Sequence, residues 1–173
     1  MLKLNLLPKI FLFLAILFFA VFLGSYISRQ MLVYQLFEQN GIDFKSIYNN
    51  DNLPFIYATL VPAFILNIAG YYSFMVSFLV FLFSSKIRIK YEGWLFAIII
   101  IVAVTAPFEI YLSTIDLKIS QMILSESATA AAVSALVQER MSALSSFPLI
   151  EVFSFAAIIF LSVFQPLRKK YED

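Results

Sequence analysis

Between Asp51 and Lys86 the chain runs for 34 residues, Asn52 to Ser85, without one Lys, Arg, Asp or Glu. As a single helix rising about 1.5 Å per residue, that stretch would reach roughly 50 Å. The hydrocarbon core of a bilayer is about 30 Å thick. One pass through a membrane therefore fits, with roughly ten residues left over. Two passes of about 17 residues each would sit at the lower limit for a spanning helix, so a single pass is expected.

Three other segments have comparable length and flanks. Ile10 to Ser28 is an uncharged run of 19 residues ending at Arg29. A secretory signal peptide is the rival reading, but Phe22, Leu23, Gly24 and Ser25 give no small-x-small cleavage pattern, and an uncleaved anchor is expected. Gly93 to Thr114 and Pro148 to Leu167 supply the remaining two. The fold expected is an all-α integral membrane protein with four transmembrane helices over about 10–28, 54–85, 93–114 and 148–167. Composition agrees: 62% hydrophobic and 13% charged residues, against roughly 45–50% and 25% in ordinary globular chains. In 173 residues, four such helices leave no room for a separate soluble domain of typical size.

Two longer connections, 29–53 and 115–147, are expected to hold amphipathic helices. In the first, Met31, Leu32, Leu36 and Phe37 recur at helical spacing between Gln35, Glu38 and Gln39. They read as a continuation of helix one or as an interfacial helix, ended by Asn40-Gly41. Asn49 to Asn52 form a second turn-like cluster, with Pro54 placed to begin helix two. Pro62, Asn67 and Gly70 interrupt the outer half of that helix, which is either one long helix or a short piece leading into a span. In the second connection Ile119, Met122, Ile123, Ala130, Val133, Val137 and Leu144 follow the helical period, with Glu126, Gln138, Glu139 and Arg140 between them. That pattern suits a helix or helical pair on the membrane surface or on a partner. Ser146-Phe147-Pro148 is the expected start of the last span. No internal repeat is found.

Charge sets the expected orientation. Lys3, Lys9, Lys86, Arg88, Lys90, Arg168, Lys169 and Lys170 fall on one side, against Arg29, Lys45, Lys118 and Arg140 on the other. The acidic residues run the opposite way, with only Glu92, Glu172 and Asp173 on the first side. Short basic connections stay cytoplasmic. Both termini and the 86–92 hairpin are therefore expected inside (N-in/C-in), and the two long connections outward. Ile-, Phe- and Asn-rich usage suggests a bacterial source, and hence the inner (plasma) membrane.

The absences exclude whole classes of chemistry. Without Cys or His there are no disulfides, thiolate metal sites, bis-His haem or imidazole general base. Four Gly form no phosphate-cradling loop, and no basic tract interleaved with aromatics suggests nucleic acid. No enzyme, no metal and no cofactor is expected.

Two carboxylates, Glu109 and Glu151, lie inside the expected spans. Counted from the cytoplasmic flank, Glu109 is 15 residues past Trp94 and Glu151 is 17 before Arg168, so both sit at roughly 22–25 Å. Arg29 and Asn67 fall near the same depth. Three roles are open for this group. The carboxylates are interfacial and partly wet, paired with Arg29; or they pair with charges on a partner; or they form a cation or proton site. Phe11, Phe13, Phe18, Phe19 and Phe22 read as lipid-facing bulk. Gly24, Ser25, Ala103, Ala106, Ala156 and Ala157 are candidates for close helix contact. Tyr57, Tyr71 and Tyr72 read as outer interfacial tyrosines.

These features suggest a non-catalytic accessory or structural subunit that docks on a larger membrane protein. The alternative is a transport component, a homo-oligomeric channel or a lipid or ion permease subunit, using Glu109 and Glu151. The order of helix one, the amphipathic stretch around Glu38-Gln39 and a Pro-containing helix two resembles the layout at the start of the lipopolysaccharide-export permeases. The resemblance covers the first 85 residues and is one of layout rather than motif. It implies a lipid-handling permease component; that family's large outward β-domain and two of its spans have no counterpart here.

Overall fold

A computed structural model describes residues 5–39, 41–125, 129–143 and 147–168. Asn40, Glu126, Leu144 and Ser146 lie outside the described residues, as do Lys3, Lys169, Lys170, Glu172 and Asp173. Five α-helices follow in order: α1 (Leu6–Tyr34), α2 (Leu53–Ser85), α3 (Gly93–Leu124), α4 (Ala130–Ser142) and α5 (Phe147–Phe164). Among the described residues there is no strand, only isolated bridges at Phe37–Phe44 and Glu92–Arg168. α1, α2, α3 and α5 are each long and apolar enough to cross a membrane. The protein is thus an all-helical, multi-pass membrane protein.

Two helices run further than charge placement suggests. α1 takes the continuous form of its two expected endings, and continues past Arg29 to Tyr34. The chain then turns at 35–37, before Asn40-Gly41, and the rings of Phe37 and Phe44 stack at 4.7 Å across the bend. α3 continues ten residues past Thr114, through Asp116, to Leu124. The reason is that the Arg29 and Asp116 charges are matched inside the protein. Neither has to end its helix to reach water.

α2 is a single helix with Pro62 inside it. Its start is built by the asparagines. Asn49 Oδ1 accepts from the backbone N–H groups of Asp51 and Asn52, and Asn52 Oδ1 accepts from that of Asn49. Lys86, in the left-handed conformation at φ 51°, closes it.

Side chains form two apolar cores stacked along the bundle. One, toward the Lys86–Glu92 hairpin, is mostly aromatic: Phe22, Tyr26, Tyr71, Phe74, Phe78 and Phe155 among others. The rings of Phe22, Tyr26 and Phe155 meet edge-on at 5.2–5.9 Å, the preferred aromatic geometry. The other core lies at the opposite end, where α4 covers the ends of α1, α2 and α3 with Val133 and Val137. Thr129 Oγ1 caps α4 by accepting from Ala132 N–H, and a 2.6 Å bond between the Tyr57 and Ser134 hydroxyls ties the helix to α2. Its Val133 and Val137 pack on the chain's own helices.

Phe22 is fully buried, although the Phe-rich stripe of α1 reads as lipid-facing. Of the five phenylalanines in that stripe, Phe13 is the exposed one. The small residues expected at helix contacts behave differently as well. Gly24, Ala103 and Ala156 are exposed, and Ser25 is buried. The close approach is instead made by Gly70, where a Cβ would stand 3.2 Å from the Phe22 backbone. Burying a bulky ring at the α1–α2 crossing requires a partner without a side chain at that height.

At the hairpin end, Glu92 is buried. Its carboxylate accepts from the Trp94 indole N–H at 2.6 Å and stands 3.4 Å from Arg168. Trp94 is therefore itself buried, rather than an exposed interfacial aromatic.

Candidate functional site

Between the two apolar cores lies a belt of buried polar side chains. α1 contributes Ser25 and Arg29, α2 Asn67, α3 Thr105, Glu109, Ser113 and Asp116, and α5 Glu151. All four site candidates from the sequence fall in this belt, with relative exposures of 1% (Arg29), 2% (Asn67), 2% (Glu109) and 0% (Glu151). Four helices enclose them.

The belt divides into two charged groups. The first is a three-membered ion pair. Asp116 accepts from Arg29 Nη1 on one carboxylate oxygen and from Arg140 Nε, at 3.0 Å, on the other. All three residues are buried. The Arg29 guanidinium also lies 5.2 Å above the centre of the Tyr26 ring, within cation–π range. Arg29 thus pairs with Asp116, and the pairing with Glu109 or Glu151 expected from depth alone is not made.

The second group is the carboxylate pair. Glu109 and Glu151, from facing helices, are neighbours, Tyr26 lies against Glu151, and Tyr71 is buried within electrostatic reach of both carboxyl groups. Five atoms here are buried without a hydrogen-bond partner: Glu109 Oε1, both carboxylate oxygens of Glu151, and the Tyr26 and Tyr71 hydroxyls. Tyr26 and Glu151 are close enough to interact, but their geometry falls short of a formed bond. Asn67 belongs elsewhere. Its amide donates, at a long 3.5 Å, to Ser25 Oγ. Of the tyrosines expected at the interface, Tyr57 bonds Ser134, Tyr72 bonds Ser113 at 3.0 Å, and Tyr71 is buried at the pair.

Asp116 and Arg140 are missing from the candidates found in the sequence, and both left a signal. Asp116 follows Glu109 by seven residues, two helical turns, and so projects from the same face of α3. Arg140 continues the 133, 137, 140 spacing of the buried Val133 and Val137. A cation on the apolar stripe of a helix needs a buried anion opposite it.

Taken together, the five buried charges of these two groups comprise two cations (Arg29, Arg140) and three carboxylates (Asp116, Glu109, Glu151). With all of them ionised, one negative charge is unmatched, and a single monovalent cation or proton would balance it. The donors at the pair are oxygens alone, which suit a proton or a hard cation rather than a soft metal. Among the described residues, no group of three or more His, Cys, Asp or Glu side chains is arranged to hold a metal ion.

The surroundings of the pair differ along the bundle axis. On the α4 side a cavity of about 910 Å³ opens between the end of α1, the following bend and the start of α5. Gln30, Gln35, Glu38 and Lys45 contribute to its wall, and Tyr26 of α1 lines it too. On the hairpin side, a second cavity of about 370 Å³ is walled by residues such as Leu12, Phe78, Trp94, Ile98 and Ile158. Its one hydroxyl, on Ser162, is already donated to the Ile158 carbonyl.

No protein-family model, curated protein or solved structure matches this chain.

Proposed function

We propose that the chain is a non-catalytic component of a membrane transport assembly, and that its working part is the Glu109–Glu151 pair, which holds a proton or small cation inside the membrane. The observation that carries this reading is the set of unpartnered oxygens: three from the two carboxyl groups and two phenols, buried with no cation bonded to them among the described residues. Buried carboxylates kept only for packing are normally paired, as Asp116 is. An intramembrane carboxylate left open favours a functional role. The charge bias supports an orientation in which the α4 end faces outward from a bacterial inner membrane.

An accessory subunit that docks on a larger membrane protein is the second reading, and α5 favours it. This helix exposes Leu149, Ile150, Phe153, Phe160, Val163 and Phe164 as a continuous apolar flank. The two readings are compatible if the ion-holding chain is one subunit among several.

The test is covalent. A hydrophobic carbodiimide adds to a protonated carboxyl in apolar surroundings, and peptide mass spectrometry locates the adduct. Adducts on Glu109 or Glu151, lost in the E109Q and E151Q variants and graded with pH or sodium, are the expected result. Absence of adducts at both residues across the pH range would overturn the ion-holding reading. Native mass spectrometry of the gently extracted protein then separates the readings. Larger partner chains at a fixed ratio support a subunit, and a pure homo-oligomer removes it.

A further inference from the structure

We infer that the Glu109–Glu151 pair carries a single shared proton and exchanges it with the α4 side alone, through the cavity whose wall includes Gln30, Gln35, Glu38 and Lys45, with the Tyr26 hydroxyl as the last group before Glu151. This rests on the ion-holding reading above and adds the ligand, the route and the direction.

The argument begins with position. Tyr26 belongs to both places: it lines the cavity on the α4 side, and it lies against Glu151. Its residue is 1% exposed and its hydroxyl lacks a partner, so one O–H is free to serve both the cavity and the carboxylate. No comparable group leads the other way. The hairpin-side cavity is walled by hydrocarbon and aromatic rings, and its only hydroxyl is occupied.

Among the described residues, the charged or titratable groups around Glu151 come from four helices. Tyr26 and Arg29 come from α1, Tyr71 from α2, and Glu109 and Glu151 from α3 and α5. Arg29 is already bonded to Asp116, which also holds Arg140 of α4. One negative charge in the belt is therefore left to be neutralised, and one proton does so. A proton shared by two carboxylates also needs no ligand set beyond the oxygens present.

The transfer balances. A hydronium in the cavity gives a proton to the Tyr26 oxygen as the Tyr26 O–H gives its own to a Glu151 oxygen. Water is left in the cavity, the tyrosine is unchanged, and a carboxylate has become a carboxylic acid. Release to the α4 side runs the same steps in reverse.

The chain contains no Cys, so Gln30→Cys and Lys45→Cys, on the wall of the cavity, each introduce the only thiol. In oriented vesicles, a charged, membrane-impermeant thiol reagent identifies the side on which the cavity opens. Carbodiimide labelling of Glu151 is then followed while the pH is stepped on each side in turn. The expected result is that labelling tracks the pH of the thiol-reactive side, and that this response is lost on thiol modification and in Tyr26→Phe. Labelling that tracks the opposite side, or that ignores both thiol modification and Tyr26→Phe, overturns the inference while leaving the ion-holding reading in place. Labelling suppressed by sodium at constant pH overturns the proton as ligand. No labelling at either glutamate in the unmodified chain removes both. Elution of each variant as a monodisperse species in detergent guards against misfolding, and the two thiol positions check one another.

Discussion

The Asp116 cluster and the Glu109–Glu151 pair are neighbours in one polar belt, equally buried, and opposite in design. Asp116 has a cation on each oxygen. Glu151 has none on either. The Asp116 cluster also ties three elements together: Arg29 from α1 and Arg140 from α4 meet on α3, with the Tyr26 ring of α1 beneath. The carboxylate pair lies between α3 and α5, which the apolar core of Ile98, Val102, Phe155 and Ile158 already joins. The difference teaches that burial alone does not separate a matched charge from an open one; the state of each lone pair does.

Removing the shared anion tests the structural half most severely. Asp116→Asn strands two buried guanidiniums, and a loss of about 3–5 kcal/mol is expected, as for breaking buried ion pairs elsewhere. It would be read as a fall in the thermal unfolding midpoint in mild detergent. An unchanged midpoint would mean that the cluster is not a clamp. Next in size is Tyr57→Phe, which deletes the 2.6 Å bond to Ser134 under α4. About 0.5–1.5 kcal/mol should be lost, with faster proteolysis of the 125–147 region as the readout. Arg168→Gln acts on a one-third-exposed partner of Glu92 and should cost about 0.2–1 kcal/mol, as a surface pair does. A larger drop would show the Glu92 end to be as tightly clamped as the other. The smallest effect on stability is expected from Glu109→Gln with Glu151→Gln. Shape is kept and an unmatched charge is removed, so the midpoint holds or rises. A clear fall in that double variant would erase the distinction between the two groups.

Much of the fold is legible in the sequence because a bilayer reduces the problem to one dimension. Length without charge, set against a fixed thickness, gives the four crossings. Antiparallel helices of constant rise also bring Glu109 and Glu151 to one level by counting residues from either flank. What counting cannot give is the lateral arrangement. Depth leaves Arg29 equally near to three carboxylates, and only the rotation of α3 selects Asp116. Treating a charge as the end of a helix fails at Asp116 for the same reason, since its counter-ions arrive from 24 and 87 residues away. Lipid and protein interior are equally apolar, so no periodicity separates the buried Phe22 from the exposed Phe13. The importance of Gly70 likewise follows from a ring on another helix.

The unequal lengths of the four long helices carry a consequence for the surrounding lipid. α1, α2 and α3 have 29, 33 and 32 residues, and α5 only 18. On three flanks, acyl chains meet walls taller than themselves. Along α5 they meet one of roughly 27 Å, slightly shorter than a typical hydrocarbon core. The bilayer has to pinch there, drawing headgroups down toward the helix start at Phe147, one turn from Glu151. The protein would favour thin membranes on that flank, and the carboxylate pair would be closest to the headgroup region along the same line.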